Sequence, residues 1–532
     1  MRRILERLGT YLPAAIAVGL PTVFIPNAFD QFILPRASIV IAGACIGAGL
    51  AMLLPGGPGL GPLRLPLLAA AAAALLAFAF SVSWPLSLSG SYTRYESLPV
   101  RLSYLGLLAV PVWLLRDERS RDWVIAGFAF GTSIACMEAL LQAAAAVGFR
   151  PDGNVGNANL LGALIAMALP LAVARGFRGD RFVVAWGLGA AVMVGGLWVS
   201  TSRSGALGAL AGCLALLVFA FRRPLWAAVS AGASSGVLLG ALWAIVLGPV
   251  SKLNNDPARS RLLLWPDATR MIAARPITGW GEDGTGLALG RFVSADWAPG
   301  VTYDRTHSGI LETAATQGVL GLAALAWVLV TLFRGIWRHR FSDSVAALGA
   351  ACIGYSVWVV FNFDWAPATG AFWLLAGTAW SAVRAAEGAP AAAKASNGVR
   401  PPGAARSIVA LVLAAAAIWL GVMPVLADAW YSQGRAELAV IVDPLQARYH
   451  WDLGSRFARS GDARAAEAEL RRAADLGETE PQLYVDLGDA ELRLGDVASA
   501  RRAYQQSLLI DPYYAPARQR LADLGAKSPA SG

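Results

Sequence analysis

Three short stretches of the 532-residue chain combine side chains able to handle an anionic leaving group and a proton. Thr201-Ser202-Arg203-Ser204-Gly205 sets one arginine among hydroxyls and small residues that let a phosphate approach. In Arg259-Ser260-Arg261-Leu262-Leu263-Leu264-Trp265-Pro266-Asp267, positions 261, 265 and 268 share one helical face, so Arg261 and Trp265 can point the same way. Gly279-Trp280-Gly281-Glu282-Asp283-Gly284 follows as a glycine-rich turn that lets backbone come close to a ligand. Thr306-His307-Ser308-Gly309-Ile310-Leu311-Glu312 puts an imidazole at a helix start, a placement suited to proton transfer near neutral pH. Arg94, between Tyr92 and Tyr95, is a weaker fourth candidate.

Two guanidiniums offer fixed, always-charged forks that match phosphate oxygens bidentately. With a histidine as base, the set suits a lipid diphosphate as leaving group. The arginines neutralise the charge of the departing group, and the base takes a proton from an incoming hydroxyl, the base adding about 10²–10⁴-fold. Each stretch also has a plainer reading: Arg203 as an interfacial arginine with its head in water, Arg261 as a surface charge beside membrane-facing Leu262–Leu264, and His307 as a structural histidine. The acids Asp267, Glu282, Asp283, Asp296 and Asp304 form no metal-ligand pattern, so neither a metal nor a cofactor is expected. No P-loop or Ser-His-Asp arrangement is apparent. Ion transport is disfavoured because acids inside apolar segments are scarce, Glu138 and Glu312 being the main ones.

The elements that must position these residues are set by composition. Apolar residues make up 56% of the chain and charged ones only 15%, against about 25% charge in soluble proteins. Mean hydropathy is +0.52. Stretches such as Ile39–Leu54, Leu65–Val82 and Val183–Val199 carry no charge. The implied fold is all-α: a polytopic transmembrane bundle of about 12–13 spans, at roughly 20 apolar residues each. Spans fall near 11–26, 34–54, 65–84, 98–115, 123–147, 158–174, 182–200, 204–221, 225–248, 308–333, 344–362, 367–383 and 407–427. Cys45, Cys136, Cys213 and Cys352 are isolated within apolar stretches and read as packing residues.

The arginines orient the bundle. Arg2/Arg3/Arg7, Arg116/Arg119/Arg121, Arg175/Arg178/Arg181, Arg222/Arg223 and Arg334/Arg338/Arg340 all fall on one side of the alternation. The alternate short connections hold single arginines: Arg36, Arg94, Arg150 and Arg203. Positive charge stays on the cytoplasmic side, so the net charge of +9 belongs to inner loops and does not imply nucleic acid. By parity the loop 249–306 and the tail both lie outside. The organisation is then a membrane domain over 1–385, a cytoplasmic linker over 386–406, a last span at 407–427 and an outer helical region over 428–532.

In the tail, Leu453-Gly454 and Leu487-Gly488 stand 34 residues apart, the period of a tetratricopeptide helix pair. Tyr484, Ala500, Tyr504 and Pro512 fit that spacing, as do Phe457, Ala466 and Ala473, and Asp443-Pro444 resembles the closing Asp511-Pro512. Such stacks bind extended partners, so a protein partner is expected for the repeats, with a plain helical hairpin as the alternative.

The order Ser202-Arg203-Ser204-Gly205, Arg261-x-x-x-Trp265 with Gly279-Trp280-Gly281, and His307-x-x-x-Leu311-Glu312 with Gly318 and Gly321 resembles the O-antigen ligase superfamily. Asn157-x-Asn159 and Gly90-Ser91-Tyr92-x-Arg94 fit members with a repeat tail, and the resemblance spans roughly 85–380. It implies a membrane glycosyltransferase C-like fold and a metal-independent, inverting transfer of glycan from undecaprenyl diphosphate to an acceptor hydroxyl. The reaction would take place on the periplasmic face of a bacterial inner membrane. Arg203 and Arg261 would hold the diphosphate, and His307 would activate or orient the acceptor. Trp265, Arg94 and Asn159 would line the substrate site. Ser308 stands where Asn is common in that family, and Gln317 where an acid is frequent. The role implied first is O-antigen-ligase-like, with polymerisation of a glycan or transfer to protein as the alternatives; the resemblance does not separate them. A reading of another class is a non-catalytic scaffold or transporter that recruits envelope proteins through the tail. A reporter fused after Gly532 is expected to be active only when it functions outside the cytoplasm; activity confined to the cytoplasm would overturn the topology.

Overall fold

The computed structural model describes residues 2–54, 59–179, 181–246, 258–296, 299–388 and 403–526, and these are helices and loops. The first part of the loop expected at 249–306 and most of the linker expected at 386–406 lie outside them, as do the side chains of Arg259 and Ser260.

The membrane half runs α1 Arg2–Thr22, α2 Ile33–Leu53, α3 Arg64–Ala79, α4 Trp84–Ser89, α5 Leu98–Leu114, α6 Glu118–Ala144, α7 Ala158–Phe177, α8 Val183–Ser200, α9 Arg203–Ala220 and α10 Pro224–Val246. The loop region carries α11 Ala258–Ala274 and the single turn α12 Thr285–Ala288; α13 Gly309–Arg338, α14 Asp343–Val360 and α15 Ala366–Ala386 follow. α16 Ala404–Ala416 continues through a π-helical turn, Ala417–Val422, into α17 Met423–Ser432. The chain is a multi-pass membrane protein: among the described residues, ten helices are long and apolar enough to cross a bilayer, and Leu98–Leu114 is a shorter apolar helix.

Each of the thirteen expected spans coincides with a helix, α1 and α15 being outside those ten, and five boundaries move by five residues or more, among them the start of α6 at Glu118 and the end of α13 at Arg338. The first runs over Arg2–Thr22 instead of 11–26, and buried Arg36 caps its end by donating to the carbonyls of Leu20 and Pro21. The third ends at Ala79, because Ser83 caps a separate helix with Pro85 in its first turn. The last continues to Ser432, beyond the expected 427.

Connections expected on one side of the membrane touch one another. At one end Arg175 pairs with Asp122, Arg178 bonds Glu118 and Trp380 Nε1 donates to Leu60 O. At the other, Arg150 donates to Ser200 O and Trp365 Nε1 to Thr93 O.

Packing inside the bundle relies on small residues, as it must where lipid offers no hydrophobic penalty against separation. A Cβ on Gly205 would lie 2.6 Å from Gly162 Cα, one on Gly208 2.6 Å from Gly354 O, and one on Gly212 2.4 Å from Pro170 Cγ. This seam draws the starts of α9 and α7 against the end of α14.

The last span leads into α18 Ala436–Val442, then α19 Ala447–Ser460, α20 Ala463–Asp475, α21 Pro481–Arg493, α22 Val497–Ile510 and α23 Ala515–Ala526. Helix starts at 447, 481 and 515, and at 463 and 497, recur every 34 residues. Gly454 and Gly488 admit Leu470 and Tyr504 of the paired helices, and Asp462 and Asp496 cap those helices at equivalent positions. The helical region is docked on the bundle. Asp428 accepts from Asp30 N and from the Tyr92 hydroxyl, Thr302 donates to Asp511, and Leu287 of the loop packs into the tail core.

α13 is broken at Gly318, whose φ is 65°. The segment 276–281 mends the gap: Trp280 N donates to Ala315 O, Gly281 N to Thr316 O, and Val319 N to Pro276 O. A Cβ at Gly318 would fall 2.2 Å from Ile277 O. Gly318→Ala is therefore expected to cost about 1–3 kcal/mol, read as a lower Tm in detergent, whereas Gly236→Ala, in open space, should leave Tm unchanged or raise it.

Candidate active site

His307 stands one residue before the N-cap of α13, in a left-handed backbone conformation (φ 53°), a strained state for a branched ring side chain. What holds it is an ion network on both flanks. Buried Arg305 pairs with Asp283 and reaches Glu312 at 3.2 Å. Glu312 also accepts from Thr306 N at 2.8 Å, the Thr306 hydroxyl at 2.9 Å and the Thr285 hydroxyl at 2.8 Å. The neighbours of the imidazole are aromatic: Tyr303 and Phe363, with ring centroids 5.7 and 5.1 Å away.

Arg261 approaches along α11. Leu264, Ala268 and Met271 are its buried face, while Leu262 and Leu263 are exposed. Arg261 Nη1 donates to Phe361 O at 2.8 Å and Trp265 Nε1 to Thr306 O at 3.1 Å, so Arg261 reaches the end of α14 and Trp265 the approach to α13. Burial, then the positive charge of Arg261 against the opposing charge of Asp304, pushes the His307 pKa down to about 4. The two candidate residues, 46 positions apart in sequence, thus share one electrostatic site.

Arg203 opens α9, with Ser202 as the cap accepting from Gly205 N. Its Nη2 is buried and without a hydrogen-bond partner among the described residues. The Ser202 hydroxyl lies 3.4 Å from Asn159 Oδ1, and Asn159 O accepts from Trp358 Nε1 at 3.1 Å. Trp358 lies one turn before Phe361, so Asn159 and Arg261 both bond the end of α14. Asn159 is engaged as well by Arg150 at 3.4 Å, and Asn157 caps α7.

Arg94 is held differently. Its guanidinium makes two bonds to Asp304, at 2.6 and 3.1 Å, and lies over the rings of Phe363 and Trp365. Burial opposes ionisation of Asp304, but Arg94 and Arg305 outweigh it and hold the carboxyl below its usual range. Arg94 therefore acts within an ion pair, beside His307. The glycine-rich turn also works differently from expectation. Its glycines approach protein backbone and side chain: a Cβ at Gly279 would sit 2.4 Å from Thr316 C, and one at Gly281 2.1 Å from the Ser81 hydroxyl oxygen.

A further layer escaped the motif reading. Arg101 bridges Glu282, at 3.3 Å, and Asp364, at 2.8 Å. Gln317 Nε2 donates to Glu282 Oε1 at 2.6 Å, a bond that an acid at 317 could not make while ionised. Burial, against Arg101, raises Glu282 and pushes Glu96 up to about 8. The signal available was Arg101 itself, a charge inside an apolar span, together with Asp304-Arg305 immediately before the histidine.

The fold and this rim define an all-helical, multi-pass membrane protein with a cationic and imidazole-bearing site at one end of its bundle. Residues 188–326 match the family model described as O-antigen ligase, a stretch that contains Arg203, Arg261 and His307. No curated protein matches the chain.

Because Arg261 depresses the imidazole, Arg261→Gln is expected to move the His307 pKa from about 4 up toward the ordinary value near 6.5. NMR titration of the three histidine rings in detergent-solubilised protein reads this directly. The neutral imidazole should persist from pH 8 down to about pH 5 in the parent protein and protonate earlier in the variant. An unshifted titration would separate the two side chains.

Proposed function

We propose that this protein is a glycosyltransferase that moves a glycan from an undecaprenyl-diphosphate donor to an acceptor hydroxyl at the outer face of a bacterial inner membrane. The observation that carries this reading is the shared site of His307 and Arg261 within the stretch that resembles O-antigen ligases. Arg203, with a buried and unpartnered Nη2, supplies a second guanidinium.

The chemistry follows from charge. The acceptor oxygen attacks the anomeric carbon from the face opposite the diphosphate, and its proton passes to the imidazole. The anomeric C–O bond breaks, its electron pair leaves with the lipid diphosphate, and the anomeric configuration inverts. Two guanidiniums meet the departing charge in a region of reduced dielectric, where such neutralisation is most effective, so the step requires no metal. A low pKa keeps the free base unprotonated. Arrival of an anionic donor would offset the field of Arg261 and raise the basicity of His307 when the proton must be taken. The acceptor is a lipid, a growing glycan or a protein.

In a host lacking its own ligase, and in membranes supplied with the lipid-linked donor, His307→Ala is expected to lower glycan transfer by about 10²–10⁴-fold. Arg203→Ala and Arg261→Ala should each lower it by about 10²–10³-fold. Full transfer by all three variants, present at parental levels, would remove the mechanism.

A further inference from the structure

A polar cavity of about 260 Å³ lies where the helical tail meets the bundle. That is more than tenfold the roughly 10–15 Å³ that one water needs. Its floor is the bundle's own: Tyr92, Arg94 and Asp304. Its roof belongs to the tail: Arg448, Glu478 and Glu480. Glu478 is 5% exposed and is fixed in place by accepting from Thr479 N at 2.9 Å and Glu480 N at 3.2 Å. Arg448 is steadied by stacking on Trp451.

The lining holds two guanidiniums, three carboxylates and several hydroxyls, with Phe29 and Tyr92 at one wall. Carboxylates and guanidiniums together accept from and donate to the alternating hydroxyls of a sugar ring, and an aromatic wall suits its apolar face. The excess of one carboxylate disfavours a phosphate-bearing group. Arg94 and Asp304 serve both this cavity and the imidazole: Arg94 covers Phe363, whose ring abuts His307. A sugar seated against Arg94 would lie one aromatic ring, that of Phe363, away from the base.

We propose that this cavity is a saccharide subsite, completed by the tail, that takes a neutral pyranose of the glycan substrates. It rests on the transferase reading above and assigns the tail a part in substrate binding as well as any recruiting role. Burial raises the carboxyl of Glu478, which suits it to uncharged hydroxyl partners.

The test uses the full-length protein in nanodiscs on an array of neutral, phosphorylated and sialylated glycans and hydroxyl-bearing peptides, a readout that needs no catalysis. Neutral glycans are expected to bind, and Glu478→Gln and the cavity-filling Thr479→Trp should each weaken that binding at least tenfold. Transfer kinetics then locate the sugar. A rise in acceptor KM with kcat little changed assigns the subsite to the acceptor, and a rise in donor KM assigns it to the donor glycan. The proposal is overturned if neutral glycans fail to bind, if both variants bind like the parent, or if peptides alone are retained. Any of these outcomes, obtained while His307→Ala remains inactive in transfer, leaves the transferase reading standing; full transfer by the His307, Arg203 and Arg261 variants would remove that reading without touching the binding result.

Discussion

A guanidinium buried beside a membrane must be paired, because its desolvation is repaid only by close opposite charge and hydrogen bonds. Arg305 meets that demand through Asp283 and Glu312, and the consequence is architectural. Asp283 also receives Ser91 N, which ties the loop before α5 to the loop after α11. Glu312 receives Thr306 and Thr285, which ties that loop to the start of α13. His307 lies between the two anchored flanks, so its left-handed backbone is imposed by neighbours that cannot relax without exposing buried charge.

Other strained positions have similar company. Of the seven non-glycine residues with positive φ among the described residues, Thr93 and Tyr95 flank Arg94, Thr201 precedes Arg203, and Asp283 and His307 belong to the ion network. Strain gathers where packing over-determines the backbone. The glycine seam packs the start of α9 against α7 and α14 from inside the bilayer. Helix packing and ion pairing thus tie together segments distant in sequence.

Much of this was legible in the chain. Apolar length marked a helix at each expected span, though α1 and α15 fall outside the ten crossing helices, and the 34-residue spacing marked the helix starts of the tail, because both depend on local composition. Arg203, Arg261 and His307 stood out because charges are conspicuous at the ends of apolar helices. What the chain concealed depends on contacts between distant segments. The engagement of Arg94 with Asp304, the bridge from Arg101 to Glu282 and Asp364, and the contact of Asp428 with Asp30 join positions more than 180 residues apart. Gly279 and Gly281 were visible as a turn, but the surface they approach became clear only with the break in α13. The repeat spacing implied a partner-binding stack; it gave no sign that Leu287 of the loop packs into the tail's core.

The catalytic assignment comes down to where a diphosphate sits. The most direct measurement is a cryo-EM structure of the protein in nanodiscs with the lipid-linked donor bound. The diphosphate is expected to bridge the Arg203 and Arg261 guanidiniums at about 2.7–3 Å, with the anomeric carbon facing the His307 imidazole. A diphosphate held elsewhere, or one contacting neither arginine, would contradict the arrangement.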